Sequence, residues 1–312
     1  MTNTYPLYRV AQWVTATLPS EACLWLAERL ADAQWRVSAV DRTAVQANLA
    51  MVLKHPVVED SPLVREVFRN FARYIVELFS AHRSQESGMT IEGTERVIEH
   101  LAPNQGRIIL SAHLGNWEVG AMALSRLGFR VSVVALLHRD PRTNQLFDAQ
   151  RLRCGVPVVP LGVGATQRCL DLLRQGWALG IAGDREFGSN GITVSFFGRP
   201  VTLPRGPAIL SLRSGAPVVP VFLIREGPWR FRFHVEPAIW PSESPPAHAQ
   251  VLALTQRYAS VMEHVIRRFP SQWLMFQPLF SEATTGSAEC GLRNADWASS
   301  NPLSEIHNPK SG

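Results

Sequence analysis

No run of apolar residues in this 312-residue chain approaches the ~20 that a helix needs to cross a bilayer, so a membrane-spanning segment is not expected. The first residues carry Arg9 and a few apolar side chains but neither an apolar core segment nor a small-residue cleavage site, which argues against a secretory signal. The four cysteines, Cys23, Cys154, Cys169 and Cys290, show no C-x-x-C spacing. Such scatter fits a reducing compartment and excludes a disulfide framework or a zinc finger, leaving buried or idle thiols. G-x-S-x-G is missing, which removes the nucleophile elbow of a serine hydrolase. H-E-x-x-H is missing too, and the nine histidines are scattered, so neither a metal nor another cofactor is expected. Charged residues make up only 18% and form no dense Lys/Arg tract, so nucleic acid is not an expected partner.

What is there points elsewhere. Hydrophobic residues make up 46%, nine residues are Trp, and a formal charge of +5 comes mainly from arginine. A mild basic excess with many Trp suits an anionic membrane surface or acidic substrates. The expectation is a chain that lies on a membrane without crossing it.

Residues 5 to about 85 read as all helical. "YPLYRVAQWVTATL", "SEACLWLAERLADAQWRV", "DRTAVQANLAMVL" and "SPLVREVFRNFARYIVELFS" carry apolar residues at helical spacing. Ser20, Asp41 and Ser61 are the expected N-caps. Trp13, Trp25 and Trp35 are expected in the core by ordinary packing; the alternative is an interfacial contact with lipid. From 106 onward strands ("RIILSAH", "RVSVVALLH", "VPVVPLG", "WALGIAGD", "ITVSFFG", "APVVPVFLIR", "WRFRFHVEPAI") alternate with helical stretches at 116–127, 141–153, 165–175 and 206–214. A long helix over about 246–269 closes the region. This alternation predicts an α/β fold with a mixed, largely parallel sheet flanked by helices. The division is a helical membrane-associating region at 1–88, an α/β domain at 89–280 and a disordered tail rich in Ser, Asn, Gly and Ala at 281–312.

One stretch carries chemistry. In "SAHLGNWEVG" His113 and Glu118 are five positions apart. On a continuous helix a residue at i+5 sits about 140° round from the first, so a working pair here cannot share one helix. His113 ends the strand "RIILSA", and Glu118 falls in the first turn of the helix "NWEVGAMALSRLG", with Asn116 as N-cap and Gly128 as the stop. A bend at Leu114–Gly115 then turns the imidazole back onto the carboxylate. A histidine at the C-terminal end of a strand in an α/β sheet is where ligands bind. With a carboxylate fixing its tautomer it becomes a general base for a hydroxyl.

"SAHLGNWE" resembles the H-x4-D/E box of the glycerolipid and lysophospholipid acyltransferase superfamily. Its spelling is close to the lauroyl/myristoyl (lipid A late) acyltransferase branch, which includes phosphatidylinositol mannoside acyltransferases. "LLHRDPRTNQLFDAQRLRCGVPVVP", "GIAGDREFGSNGITVSFFGRPVTLPRGPAILSLRSGAPVVPVF", "NFARYIVELF" and "PSQWLMFQPLF" have counterparts there in the same order, over roughly residues 5 to 280. The resemblance implies transfer of a fatty acyl group from an acyl-carrier-protein or CoA thioester to a hydroxyl of a membrane lipid or glycolipid. With the Trp/Arg pattern and the lack of a spanning segment, the expectation is a bacterial protein peripheral on the cytoplasmic face of the inner membrane. His113 matches the base and Glu118 its partner. Asp184 is either a strand-end cap or a second acid near the histidine. Asn116, Arg139, Arg151, Arg153 and Arg205 are candidates for substrate contact, since arginines suit a phosphate of donor or acceptor. "VSFFG" with Pro200 is a packed turn or part of an acyl slot. Two departures count against a lipid A acceptor: the N-terminus is too polar for a spanning helix, and "MFQPLF" lacks a His-Arg-Arg cluster. The rival of another class is a non-catalytic lipid- or carrier-protein-binding module on the same fold.

Overall fold

The computed structural model describes residues 5–83, 89–101, 105–186, 191–242 and 247–279. The expected tail at 281–312 and Cys290 lie outside the described residues. Four helices come first: α1 (Tyr5–Thr17), α2 (Ser20–Val37), α3 (Ala39–Leu53) and α4 (Pro62–Ser80). Ser61 caps α4 through Leu63 N–H, as its sequence suggests. Two expected caps move by one turn or less. Ser20 is already the first residue of α2, after Pro19. Ser38 caps α3, and Asp41 sits inside the first turn, its N–H bonded to the Ser38 hydroxyl. Either oxygen chemistry can satisfy an orphan donor, so local sequence does not decide between neighbours.

The remaining elements are β1 (Thr90–Glu92), α5 (Thr94–His100), β2 (Arg107–Ser111), α6 (Trp117–Arg126), β3 (Val131–Ala135), α7 (Pro141–Arg153), β4 (Val158–Pro160), α8 (Ala165–Arg174), β5 (Ala178–Ala182), β6 (Ile192–Phe196), β7 (Arg199–Leu203), α9 (Gly206–Ser214), β8 (Val218–Gly227), β9 (Arg230–Val235) and α10 (His248–Arg268). Seven strands form one sheet in the order β1-β9-β8-β2-β5-β3-β4, all neighbours parallel except β8 and β9. The short elements β1, α5 and β7 have no strong periodicity and are not legible in the sequence. β6 and β7 form a separate hairpin turning at Phe197 (φ 54°) and Gly198 (φ 82°), two left-handed residues as a two-residue hairpin requires. Phe196 and Phe197 are buried against Trp273, so "VSFFG" is a packed turn.

Side-chain alternation sorts the strands onto two cores. Ile108, Leu110, Val218 and Phe222 face one; Ile109, Val219, Val221 and Leu223 face the other. The second core also takes Val45 and Leu49 of α3 and Val64, Val67 and Leu78 of α4. The helical region and the sheet therefore share one interior. Within the helices Asp32 of α2 accepts from both Arg65 and Arg69 of α4, and these hydrogen bonds hold its carboxyl well below the usual range. Among the described residues no helix is long and apolar enough to cross a membrane.

Candidate active site

Strand register brings the central pair together. In the parallel ladder Ser111 of β2 lies opposite Ala182 of β5. Two residues beyond each, where the chain leaves the sheet, stand His113 and Asp184. His113 Nδ1 is 2.8 Å from Asp184 Oδ1, and the His113 backbone N–H donates to Oδ2 at 3.0 Å. The Trp273 indole N–H donates to the same Oδ2 at 2.9 Å. Asp184 has no exposed surface. Burial opposes its ionisation, but the His113 ring, the indole and the backbone N–H outweigh that and hold the carboxyl down at about 2. An ionised carboxylate only accepts, so in the neutral imidazole it is Nδ1 that carries the proton and Nε2 that keeps the lone pair. Nε2 has no protein hydrogen-bond partner among the described residues, and His113 lines the cavity described below.

Tertiary contacts hold the loop that carries the histidine. Gly115 has φ 64°, and a Cβ there would lie 2.0 Å from the Leu223 carbonyl oxygen, so only glycine fits the bend. Leu274 N–H donates to the His113 carbonyl and Gly115 N–H to the Gln272 carbonyl, at 2.7 and 3.0 Å. The segment 272–274 thus grips His113 by its backbone and Asp184 through Trp273. The Trp117 ring meets the His113 ring edge-on at 4.8 Å and stacks on Tyr74 at 4.5 Å.

Glu118 is not the partner of His113. Its two oxygens accept from Arg151 Nε and Nη2 at 2.8 and 2.6 Å, while Arg151 Nη1 donates to Asp148 at 3.0 Å. The helix start turns Glu118 toward α7, away from the imidazole. Arg151 is accordingly 8% exposed and committed, not a free rim charge. Burial alone would depress its guanidinium, but Glu118 raises it instead. Asn116 is fully buried: its Oδ1 caps α6 through Val119 N–H, and its Nδ2 donates to Glu77 and to the Tyr74 carbonyl. A side chain with both ends used inside the protein is architectural, which corrects its expected substrate role. Arg153, on the outer side of α7, is exposed and not part of the cavity wall. Arg139 and Arg205 do lie in that wall. So does Arg185, which sequence reading missed, although it directly follows Asp184.

The cavity beside His113 has a volume of about 840 Å³. One part runs between α6 and the sheet and is lined by Ile109, Ala121, Leu124, Val131, Val133 and Val221, all apolar. His138 and Tyr8 also line it; burial and the charge of Arg151 push the His138 imidazole down.

The strand-end His113 thus holds a buried carboxylate on Nδ1 and lines a cavity that has an apolar part. Residues 2–282 match the family described as bacterial lipid A biosynthesis acyltransferase. The chain belongs to that family. It is therefore an acyltransferase. The phosphatidylinositol mannoside acyltransferase of Mycobacterium tuberculosis (strain CDC 1551 / Oshkosh) is 28% identical over 261 residues, 80% of each chain. The protein of that name from Mycolicibacterium smegmatis is 26% identical over 243 residues, 75% of this chain and 78% of the relative. The crystal structure of a 1-acyl-sn-glycerophosphate acyltransferase from Thermotoga maritima aligns with a TM-score of 0.37 at 17% identity, covering 67% of this chain and 88% of the other. Among the described residues no group of three or more His, Cys, Asp or Glu side chains could hold a metal in this acyltransferase.

Proposed function

We propose that this acyltransferase moves a fatty acyl group from an acyl-carrier-protein or CoA thioester to a hydroxyl of a membrane lipid or glycolipid, with His113 as general base and Asp184, in place of Glu118, as its orienting carboxylate. The observation that carries the reading is that His113, held by buried Asp184, lines the same cavity as the apolar side chains between α6 and the sheet. His113 Nε2 takes the proton of the acceptor hydroxyl as its oxygen attacks the thioester carbonyl. The tetrahedral intermediate collapses, the C–S bond breaks, and the imidazolium returns the proton to the leaving thiolate. Arg139, Arg185 and Arg205 lie in the wall of the same cavity, and their positive charge suits the charge that develops on the carbonyl oxygen. No metal, cofactor or covalent enzyme intermediate enters this sequence. The names of the relatives favour a glycolipid acceptor.

The same reading places the protein peripherally on the cytoplasmic face of a bacterial inner membrane. Trp13 and Trp25 are 66% and 64% exposed, against the ordinary expectation of core packing, and Leu7 and Val10 share the outer face of α1 with Trp13. Trp35 is the one that packs inward, under Arg65. An exposed apolar stripe beside a slot for a lipid chain suits an interface that delivers lipid.

The test is thiol release. Purified protein is given palmitoyl-CoA or palmitoyl-acyl carrier protein with vesicles of total bacterial lipid, and free thiol and acylated lipid are measured. Acceptor-dependent release that disappears in His113→Ala supports the reading. Tight binding of the thioester with no release in any lipid would establish the non-catalytic binding module instead. Membranes washed with high salt or carbonate should release the protein; retention through both washes would contradict peripheral attachment.

A further inference from the structure

A second buried charge pair lies behind the site, and the proposed chemistry does not use it. Glu77 of α4 is 1% exposed. Its carboxylate accepts from Arg225 Nε and Nη2, both at 2.6 Å, and from Asn116 Nδ2 at 2.8 Å. Two routes lead from it to the histidine. The first is short: Asn116 caps α6, and its backbone N–H donates to the Leu223 carbonyl, so Glu77 anchors the far end of the loop that begins at His113. The second passes through Arg225. Arg225 Nη1 donates to Asn70 Oδ1 at 2.7 Å, and Asn70 Nδ2 to the Ser271 carbonyl at 2.9 Å. The Arg225 backbone and the Gln272 side-chain amide exchange two further bonds, at 2.9 and 2.8 Å. Segment 271–274 then reaches both the His113 carbonyl and, through Trp273, Asp184.

The bonds of Glu77 with Arg225 and Asn116, and that of Arg225 with Asn70, are buried, and those to Ser271 and Gln272 are partly buried. Removing the Glu77 charge leaves Arg225 buried without its counter-charge, a cost that favours the arrangement seen. We propose that Glu77 is a positioning residue for acyl transfer: from a helix outside the sheet it fixes both the loop that aims His113 and the segment that holds Asp184. The inference rests on the reading of His113 as the base. Its consequence is that the helical N-terminal region is part of the catalytic apparatus as well as the surface turned to lipid.

The test compares two substitutions around the same helix. Glu77→Gln keeps the shape and removes the charge. Asp32→Asn breaks the Asp32–Arg65/Arg69 contacts, which join α2 to another face of α4 and touch nothing at the site. Melting temperature, kcat and KM with palmitoyl-CoA, and the low-field proton resonance of His113 Nδ1–H are measured for both. Glu77→Gln should lower kcat on the order of tenfold to a hundredfold, the scale of a misplacement near 1 Å, with KM little changed and the resonance shifted or broadened. Asp32→Asn should lower the melting temperature while kcat and the resonance stay at wild-type values. Asn116→Ser keeps an N-cap oxygen but loses the donor to Glu77; it should reproduce the kcat loss, and it decides the matter should Glu77→Gln fail to fold. Wild-type kcat and an unmoved resonance in a folded Glu77→Gln or Asn116→Ser protein would overturn the proposal. A wild-type protein without thiol release would count against the acyl-transfer reading, whereas the resonance would still report whether Glu77 positions His113.

Discussion

Of two candidate carboxylates for His113, one close in sequence and one distant, the distant one meets the imidazole and the close one an arginine. Glu118 is five residues away and bonds Arg151 of α7. Asp184 is 71 residues away and bonds the imidazole. The difference lies in what carries each side chain. Asp184 and His113 leave adjacent parallel strands at the same level, so the ladder itself sets their separation. Glu118 rides on the first turn of α6, whose direction is set by the fit of Gly115 under Leu223 and by the Asn116 cap. A sheet delivers its strand ends to one place, whereas a helix start delivers its side chain wherever the bend points. One pair is then read as chemical and the other as architectural.

That contrast can be broken most directly at the chemical pair. His113→Ala should lower acyl transfer by a hundredfold to ten-thousandfold, and Asp184→Asn by a similar factor, because the wrong tautomer disables the same base. The double variant should be little worse than either, as residues acting as a unit are not additive. Steady-state thiol release measures all three. A Asp184→Asn enzyme near wild-type turnover would return the orienting role to another group.

At the architectural pair the expected loss is in stability. Glu118→Gln leaves Arg151 buried and charged, which costs about 3–5 kcal/mol; Glu118→Leu with Arg151→Met should restore most of that. Chemical denaturation of the single and double variants checks it. If Glu118→Gln stays fully stable yet loses turnover, Glu118 belongs to the chemistry and not to the architecture.

Acid separates the pairs differently. The Asp184 carboxyl is held at about 2, below its ordinary 3.8, so its contribution is complete above pH 4 and is lost as pH falls through about 2. Lowering it that far corresponds to about 2 kcal/mol. Denaturation free energies between pH 5 and 2 should fall more steeply for wild type than for Asp184→Asn; parallel curves would show that Asp184 is not held down. The smallest effect is expected at Arg153. It is two residues beyond Arg151 on the same helix but exposed, and Arg153→Gln should change stability by no more than about 0.5 kcal/mol. A loss of several kcal/mol there would mean that burial is not what distinguishes the two arginines.

The sequence by itself determined the elements with strong periodicity. The four N-terminal helices, β2, β5, β8, α6 and α10 were legible because apolar spacing and capping residues are local properties. It also determined that His113 stands at a strand end with Asn116 capping the helix beyond, and that Asp184 closes another strand. The tertiary structure alone decided which of these meet. Asp184 finds His113 through strand register, Trp273 arrives from the end of the described chain, and Arg151 reaches Glu118 from α7. Whether Trp13 faces the core or the outside was likewise open in the sequence, since an amphipathic helix names its apolar stripe but not what covers it. Contacts between residues tens of positions apart depend on how strands order and helices pack, and no local pattern encodes that order.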